Sequence, residues 1–163
     1  YDFIFGFGKA NMVLAGQMRG AADYTTWKRC RSIGFKWGLG LSVASFIILY
    51  AARVPIFSVY SQDAQALALS ETVMFWVAAV CIPQGHTIIT AGILRGSGQT
   101  TAVAVYSFVL ITVLRPLMTA FFIYYCKLGI VGAWVPMFLD QSLRSLCFTW
   151  KVMRIRGLKD LIK

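Results

Sequence analysis

Polar and ionisable side chains are so scarce in this chain that each one inside an apolar run is a candidate for function. Thr72 to Leu94 runs for 23 residues without a charge and holds Pro83, Gln84 and His86 near its middle. A polar group in a membrane span is costly unless it faces protein or water. Gln84 and His86 therefore either line a cavity and meet a substrate or bond to a neighbouring helix, and both readings stand. Pro83 removes a backbone bond, bends its helix and frees a carbonyl that can line the same cavity. Asp140 and Arg144 stand four residues apart in a later apolar run, a spacing that lets them neutralise each other on one helix face. That makes them a structural pair in preference to a proton carrier and its neighbour. Arg115 lies some 14 residues into its own run and is expected to snorkel to the outer interface in preference to drawing an anion inward.

The chemistry these residues offer is recognition, not bond making. The chain has no nucleophile, base and orienting group in one constellation, and no phosphate-binding loop. Four cysteines, at 30, 81, 126 and 147, have no ligand spacing, and His86 is the one histidine, so neither a metal site nor a catalytic site is expected. No cofactor is called for. The cysteines read as free thiols.

Composition explains why polar residues are rare. With 58% hydrophobic and 13% charged residues in 163, the chain is an integral membrane protein of the all-α, polytopic class. Its net charge of +10 would point to nucleic acid in a soluble protein. Here the cations cluster beside apolar runs instead, at Arg19, Lys28, Arg29, Arg31 and Lys36 and again from Lys151 to Lys163. They read as topology determinants in contact with membrane lipid, and nucleic acid is excluded as a partner.

The runs themselves give one partial helix and four complete ones. The first is the tail of a helix ending near Gly16. The second covers Phe35 to Ile56, with Pro55 at its exit and Gly34, Gly38 and Ser42 spaced by four as a smooth packing face. Between them, Ala21 to Arg31 forms a basic loop or short interfacial helix with Trp27 at the boundary. The third helix runs from about Leu69 to Leu94, after an acidic outer loop that holds Asp63. The fourth runs from about Thr101 to Cys126, interrupted at Arg115-Pro116. Lys127 to Gly129 turns the chain into the fifth, from Ile130 to about Met153. Between the third and fourth lies a hinge, Ala91 to Thr100, in which Gly92, Gly96 and Gly98 let one helix end and the next restart, with Arg95 favoured at the helix C-terminus.

Eleven Lys and Arg residues fall on the side of the first loop, the Arg95 hinge and the C-terminus, against two on the other side. The positive-inside bias places the first three in the cytoplasm. Ala15-Gly16-Gln17-Met18-Arg19-Gly20 repeats as Ala91-Gly92-Ile93-Leu94-Arg95-Gly96, a pattern in keeping with the internal repeats of transporters.

At the hinge the residues carry a resemblance. Gly92-Ile-Leu-Arg-Gly-Ser-Gly-Gln-Thr100 resembles the G-x-L-R-G-x-G-D-T signature of the multidrug and toxic compound extrusion (MATE) transporters. Gly16-Gln17 with Gly20-Ala21 is similar to that family's G-Q-x-x-G-A, and Leu128-Gly-Ile-Val-Gly-Ala-Trp134 to its L-G-x-x-G-x-W. Pro83 falls where the same helix usually has proline, and Asp140 with Arg144 resembles the polar positions that follow.

The resemblance implies a transporter of two six-helix lobes. This chain, which opens at Tyr1, then looks like the C-terminal lobe without its first helix, and residues 1–163 pair with an N-terminal lobe of the same protein. It implies efflux of small organic cations or drugs coupled to H+ or Na+, in a cell membrane of the bacterial type. Two departures bear on coupling: Gln99 stands where the family usually has Asp, and Gln84 stands where some members carry a carboxylate. An amide cannot titrate, so a coupling aspartate is expected in the first lobe. The alternatives are a lipid-linked oligosaccharide flippase, which needs a more cationic cavity than Arg115 alone supplies, and a non-transporting membrane subunit.

Overall fold

In a computed structural model, the backbone is described over residues 2–60, 64–127, 131–155 and 157, and side chains over 2–56, 72–127, 132–155 and 157. The described chain is helical. The order is α1 (Asp2–Gly20), α2 (Tyr24–Ala51), α3 (Arg53–Tyr60), α4 (Ala64–Gly96), α5 (Thr100–Phe108), α6 (Arg115–Ala120) and α7 (Val131–Met153). Among the described residues, three segments are long and apolar enough to cross a membrane: Tyr24–Ala51, Thr72–Gly96 and Thr100–Tyr125. Helices α1 and α7, at 19 and 23 residues, lie alongside them. The molecule is an all-α polytopic membrane protein.

Helix α4 is the axis of the fold, with α1, α2 and α7 packed around it. Its 33 residues give about 50 Å at helical rise, more than the hydrocarbon core requires. Small residues set how closely its neighbours approach. The face expected on α2 is the one buried, since Gly34, Gly38 and Ser42 all pack inward. A Cβ added at Gly38 would meet Ile89 Cδ1 at 2.8 Å, and one at Gly34 would meet Asn11 Oδ1 at 2.7 Å. Lipid tails offer no hydrophobic drive for helices to pair, so such close approach supplies much of the cohesion by dispersion.

Several boundaries differ from the sequence expectation. Residues Ala21 to Arg31 do not form a separate interfacial helix. A three-residue turn, with Ala22 at φ +54°, leads straight into α2. Asp23 caps that helix by accepting a hydrogen bond from the Thr26 amide at 3.0 Å. Bonds from Thr26, first from its side chain and then from its backbone, hold the Asp23 carboxyl below its ordinary range. Trp27 is not at the lipid boundary but 1% exposed, in a cluster with Leu94, Val103, Phe148 and Val152. A buried indole N–H needs an acceptor, and Trp27 Nε1 donates to Ser97 Oγ at 2.9 Å. Pro55 does not mark the exit of α2, which ends at Ala51. It lies in the first turn of α3, where its missing amide costs nothing.

The fourth span is widened at Arg115-Pro116 and not interrupted. Thr100 to Tyr125 stays helical, but Val109–Leu114 and Phe121–Tyr125 adopt the wider π form. The Arg115 amide bonds back to the Leu110 carbonyl, five residues away. Proline supplies no amide and crowds the preceding turn, and widening the helix relieves that crowding without breaking the span. The turn from Leu128, with the first three residues of its L-G-x-x-G-x-W block, Asp63 of the outer loop, and the tail beyond Gly157 lie outside the described residues.

Helices α1 and α4 run parallel, because Gly8 lies against Gly92 and Ala15 against Gly96. Their two Ala-Gly-x-x-Arg-Gly endings are thus neighbours. The Tyr24 hydroxyl donates to the Ile155 carbonyl at 3.2 Å, bringing the end of α7 to the same place. The first turn, the hinge and the end of α7 therefore share one end of the molecule.

Candidate substrate groove and intramembrane ion cluster

The three residues singled out in α4 do not act as one group. Residues two apart on a helix point about 200° from each other, and Gln84 and His86 accordingly face opposite sides. His86 looks into a groove between α2, α4 and α7, while Gln84 faces a cleft between α1, α4 and α7. Pro83 lines the groove beside His86. It sits inside an unbroken α4, and Thr87 Oγ1 donates to its carbonyl at 2.7 Å, with the Gln141 carbonyl at 3.3 Å.

The groove encloses about 820 Å³. Its walls are mostly aromatic and aliphatic, with Phe35, Phe46, Phe75 and Phe138 among them. The polar groups are few and come from three helices: Lys36 on α2, His86 on α4, and Ser142, Ser145 and Thr149 on α7. His86 Nδ1 lies 2.8 Å from Ser145 Oγ, and the imidazole is tilted against the Phe35 ring at 5.1 Å between centroids. The histidine thus ties α4 to α7 and also presents a polar edge to the groove. Its place in the groove lining and its bond to a neighbouring helix are compatible with each other.

The cleft on the other side is smaller, about 210 Å³, and has a different character. Lys9, Arg95 and Arg144 line it together with Gln84, Thr87, Ser107 and Gln141. The expectation that Arg115 would be the one cation near a cavity is overturned here. Arg115 belongs elsewhere, and three other cations meet in the cleft.

Arg115 also does not snorkel. Its Nη2 lies 2.5 Å from Asp140 Oδ2, whereas Arg144 Nη2 is 3.4 Å from that same oxygen. The pair expected on α7 alone is a cluster of three joining two helices, and the closer partner is the one from α6. Asp140 is fully buried and the Arg115 side chain 29% exposed. A carboxylate taken out of water needs its charge met at short range, which a guanidinium on the adjoining span supplies better than one on its own helix. The span Thr100–Tyr125 buries little surface, only 6% of its apolar window, so this ion cluster is a principal tie to the bundle.

The hinge glycines divide by role. Gly92 does not turn the chain, as the sequence suggested, but sits inside α4, whereas Gly96 is the residue at which α4 ends; at both, the α1 backbone leaves no room for a side chain. Gly98 alone of the three is left-handed, at φ +80°, with the Arg19 guanidinium packed against it. Arg95 is exposed at the end of α4, and Thr100 opens α5 after Gln99. Sequence spacing had no signal for the contacts of Arg19 with Gly98 and Trp27 with Ser97, since each joins residues 70 or more apart.

A family model described as MatE matches residues 1–121 of this chain. An uncharacterized transporter of Schizosaccharomyces pombe is 23% identical over 135 residues, 83% of this chain and 25% of the relative. A probable multidrug resistance protein NorM of Xanthomonas campestris is 30% identical over 95 residues, 58% of this chain and 21% of its own length. The NorM of Chromobacterium violaceum is 23% identical over 146 residues, 87% of this chain and 31% of its own. The chain therefore spans between about a fifth and a third of the length of these relatives. With helices packed on one central span, a glycine hinge after it, and a family match over most of its length, the chain belongs to the MATE family of membrane transporters.

Proposed function

We propose that the chain forms part of the C-terminal lobe of a cation-coupled efflux antiporter, with the lobe's first helix and the whole N-terminal lobe supplied by the rest of the protein. Organic compounds, often cationic, leave by alternating access in exchange for H+ or Na+, without covalent chemistry. The common basic end faces the cytoplasm, in a cell membrane of the bacterial type, as the positive-inside bias favours.

The groove between α2, α4 and α7 carries this reading. Its volume of about 820 Å³ falls in the range of drug-sized sites, and its mix of aromatic walls with a few convergent polar groups is what such sites require. Phe46, Phe75 and Phe138 line the groove, and aromatic rings attract organic cations. We expect His86→Ala to weaken binding of a fluorescent hydrophobic cation to the purified protein by about tenfold, equivalent to about 1.4 kcal/mol. Equilibrium titration with the dye measures this. Binding unchanged by both His86→Ala and Phe75→Ala would remove the groove from the account.

A lipid-linked oligosaccharide flippase is favoured by one observation, the cations Lys9, Arg95 and Arg144 of the second cleft. Competition between the dye and a lipid-linked sugar separates the two readings.

A further inference from the structure

The cleft between α1, α4 and α7 differs in kind from the groove, and the difference points to a ligand. Helices α1 and α4 approach so closely at Gly8 and Gly92 that neither position has room for a side chain. Lys9 follows the first of these glycines and Arg95 lies one turn beyond the second, so both cations flank the point of contact. Arg144 of α7 closes the third side. No carboxylate lines the cleft among the described residues, and the neighbouring Asp140 is engaged by Arg115 and Arg144.

Like charges gathered in a narrow cleft beside lipid repel one another more strongly than in water, and an anion seated between them removes that cost. Gln84, Thr87 and Gln141 add hydrogen-bonding groups along the same walls. At about 210 Å³ the cleft is below the range for drug-sized ligands, but it accommodates a single anionic group. We propose that this cleft is a binding site for a phosphate or carboxylate group, held by Lys9, Arg95 and Arg144, and separate from the apolar groove. The group comes either from an anionic lipid whose tails stay in the bilayer or from a soluble anion entering at the basic end. The site stands under either transport reading, because the groove plays no part in it.

The test is thermal stability of the full protein in nanodiscs, since a ligand that binds the folded state alone raises the unfolding temperature. One arm compares phosphatidylcholine discs with discs containing phosphatidylglycerol, and the other titrates inorganic phosphate and citrate into phosphatidylcholine discs. We expect an anion-dependent rise in one arm, with an apparent affinity at least tenfold weaker in the Lys9→Gln/Arg95→Gln variant. Both residues are exposed, so the fold tolerates the exchange. The Lys28→Gln/Arg29→Gln variant removes the same charge from the same end of the molecule, outside the cleft, and keeps the full response. A rise confined to the lipid arm identifies a headgroup, and one confined to the other arm a soluble anion. No rise in either arm, or an equal loss in the two variants, overturns the site and leaves the groove reading untouched.

Discussion

Replacing Asp140 with asparagine will cost about 3–5 kcal/mol of stability, the range for removing one partner of a buried ion cluster and leaving the other charges uncompensated. The carboxylate is fully buried, and its Oδ2 holds both Arg115 and Arg144. An amide of the same shape keeps the volume and loses the charge, so two guanidinium groups then face each other inside the membrane region. That loss is a large fraction of the net stability of a folded protein. The span Thr100–Tyr125 has little buried surface of its own to hold it to α7, and it detaches first. Denaturation followed in detergent micelles, with a probe on that span, measures the effect. The variant in which Arg115, Asp140 and Arg144 are together replaced by Met, Leu and Met is expected to recover most of the lost stability, because well-packed apolar side chains need no counter-charge. A D140N protein as stable as the parent would show that the cluster contributes nothing to the packing of this span.

The second large effect belongs to the contact of α1 with α4. A Cβ at Gly92 would press on the Gly8 carbonyl, and one at Gly96 would meet Ala15 Cβ at 2.8 Å and the Gly16 amide nitrogen at 3.0 Å. The obstructing atoms are mostly backbone, which cannot rotate aside as a flexible side chain would. Gly92→Val or Gly96→Val must therefore push the two helices apart, at about 1–3 kcal/mol or more for each. Gly40 provides the internal comparison, since nothing lies within 4 Å of a Cβ placed there. Gly40→Ala should be neutral or mildly stabilising, by up to about 1 kcal/mol from helix propensity alone. Unfolding midpoints of the three variants decide the matter, and a Gly92→Val protein matching Gly40→Ala would refute the close contact.

Local features of the fold were legible in the sequence because local rules fix them. Apolar run lengths gave the helices, and a spacing of four at Gly34, Gly38 and Ser42 gave the face that α2 buries. The charge count put the first turn, the hinge and the end of α7 on one side, and the packing brings them together at one end. What escaped was set by contacts between helices. Arg115 and Asp140 are 25 residues apart on different elements, and no spacing rule joins them. The π turns made matters worse, since each added residue per turn rotates everything after it relative to a regular helix, so a wheel drawn from Thr100 misplaces Arg115.

Part of the candidate site follows from helical geometry and part from packing. The 200° between Gln84 and His86 follows from helical geometry alone, yet which side holds the aromatic groove depends on where α2 and α7 pack. Lys9 stands as a lone cation in an apolar run, a sign of the cleft that gains meaning only when Arg95 and Arg144 are placed beside it. Glycine serves both turns and close contacts, and sequence does not separate the two uses at Gly92, inside α4, and Gly96, at its end.

Gradient-driven flux in proteoliposomes tests the transporter reading most directly. The complete protein is reconstituted, loaded with a fluorescent hydrophobic cation, and given an inward gradient of H+ in one preparation and of Na+ in another. One of the two gradients is expected to drive dye out against its concentration, and His86→Ala to slow this export at low dye concentration while coupling persists. Dye that neither binds nor moves under either gradient would contradict it and leave these helices as a membrane subunit that carries no substrate.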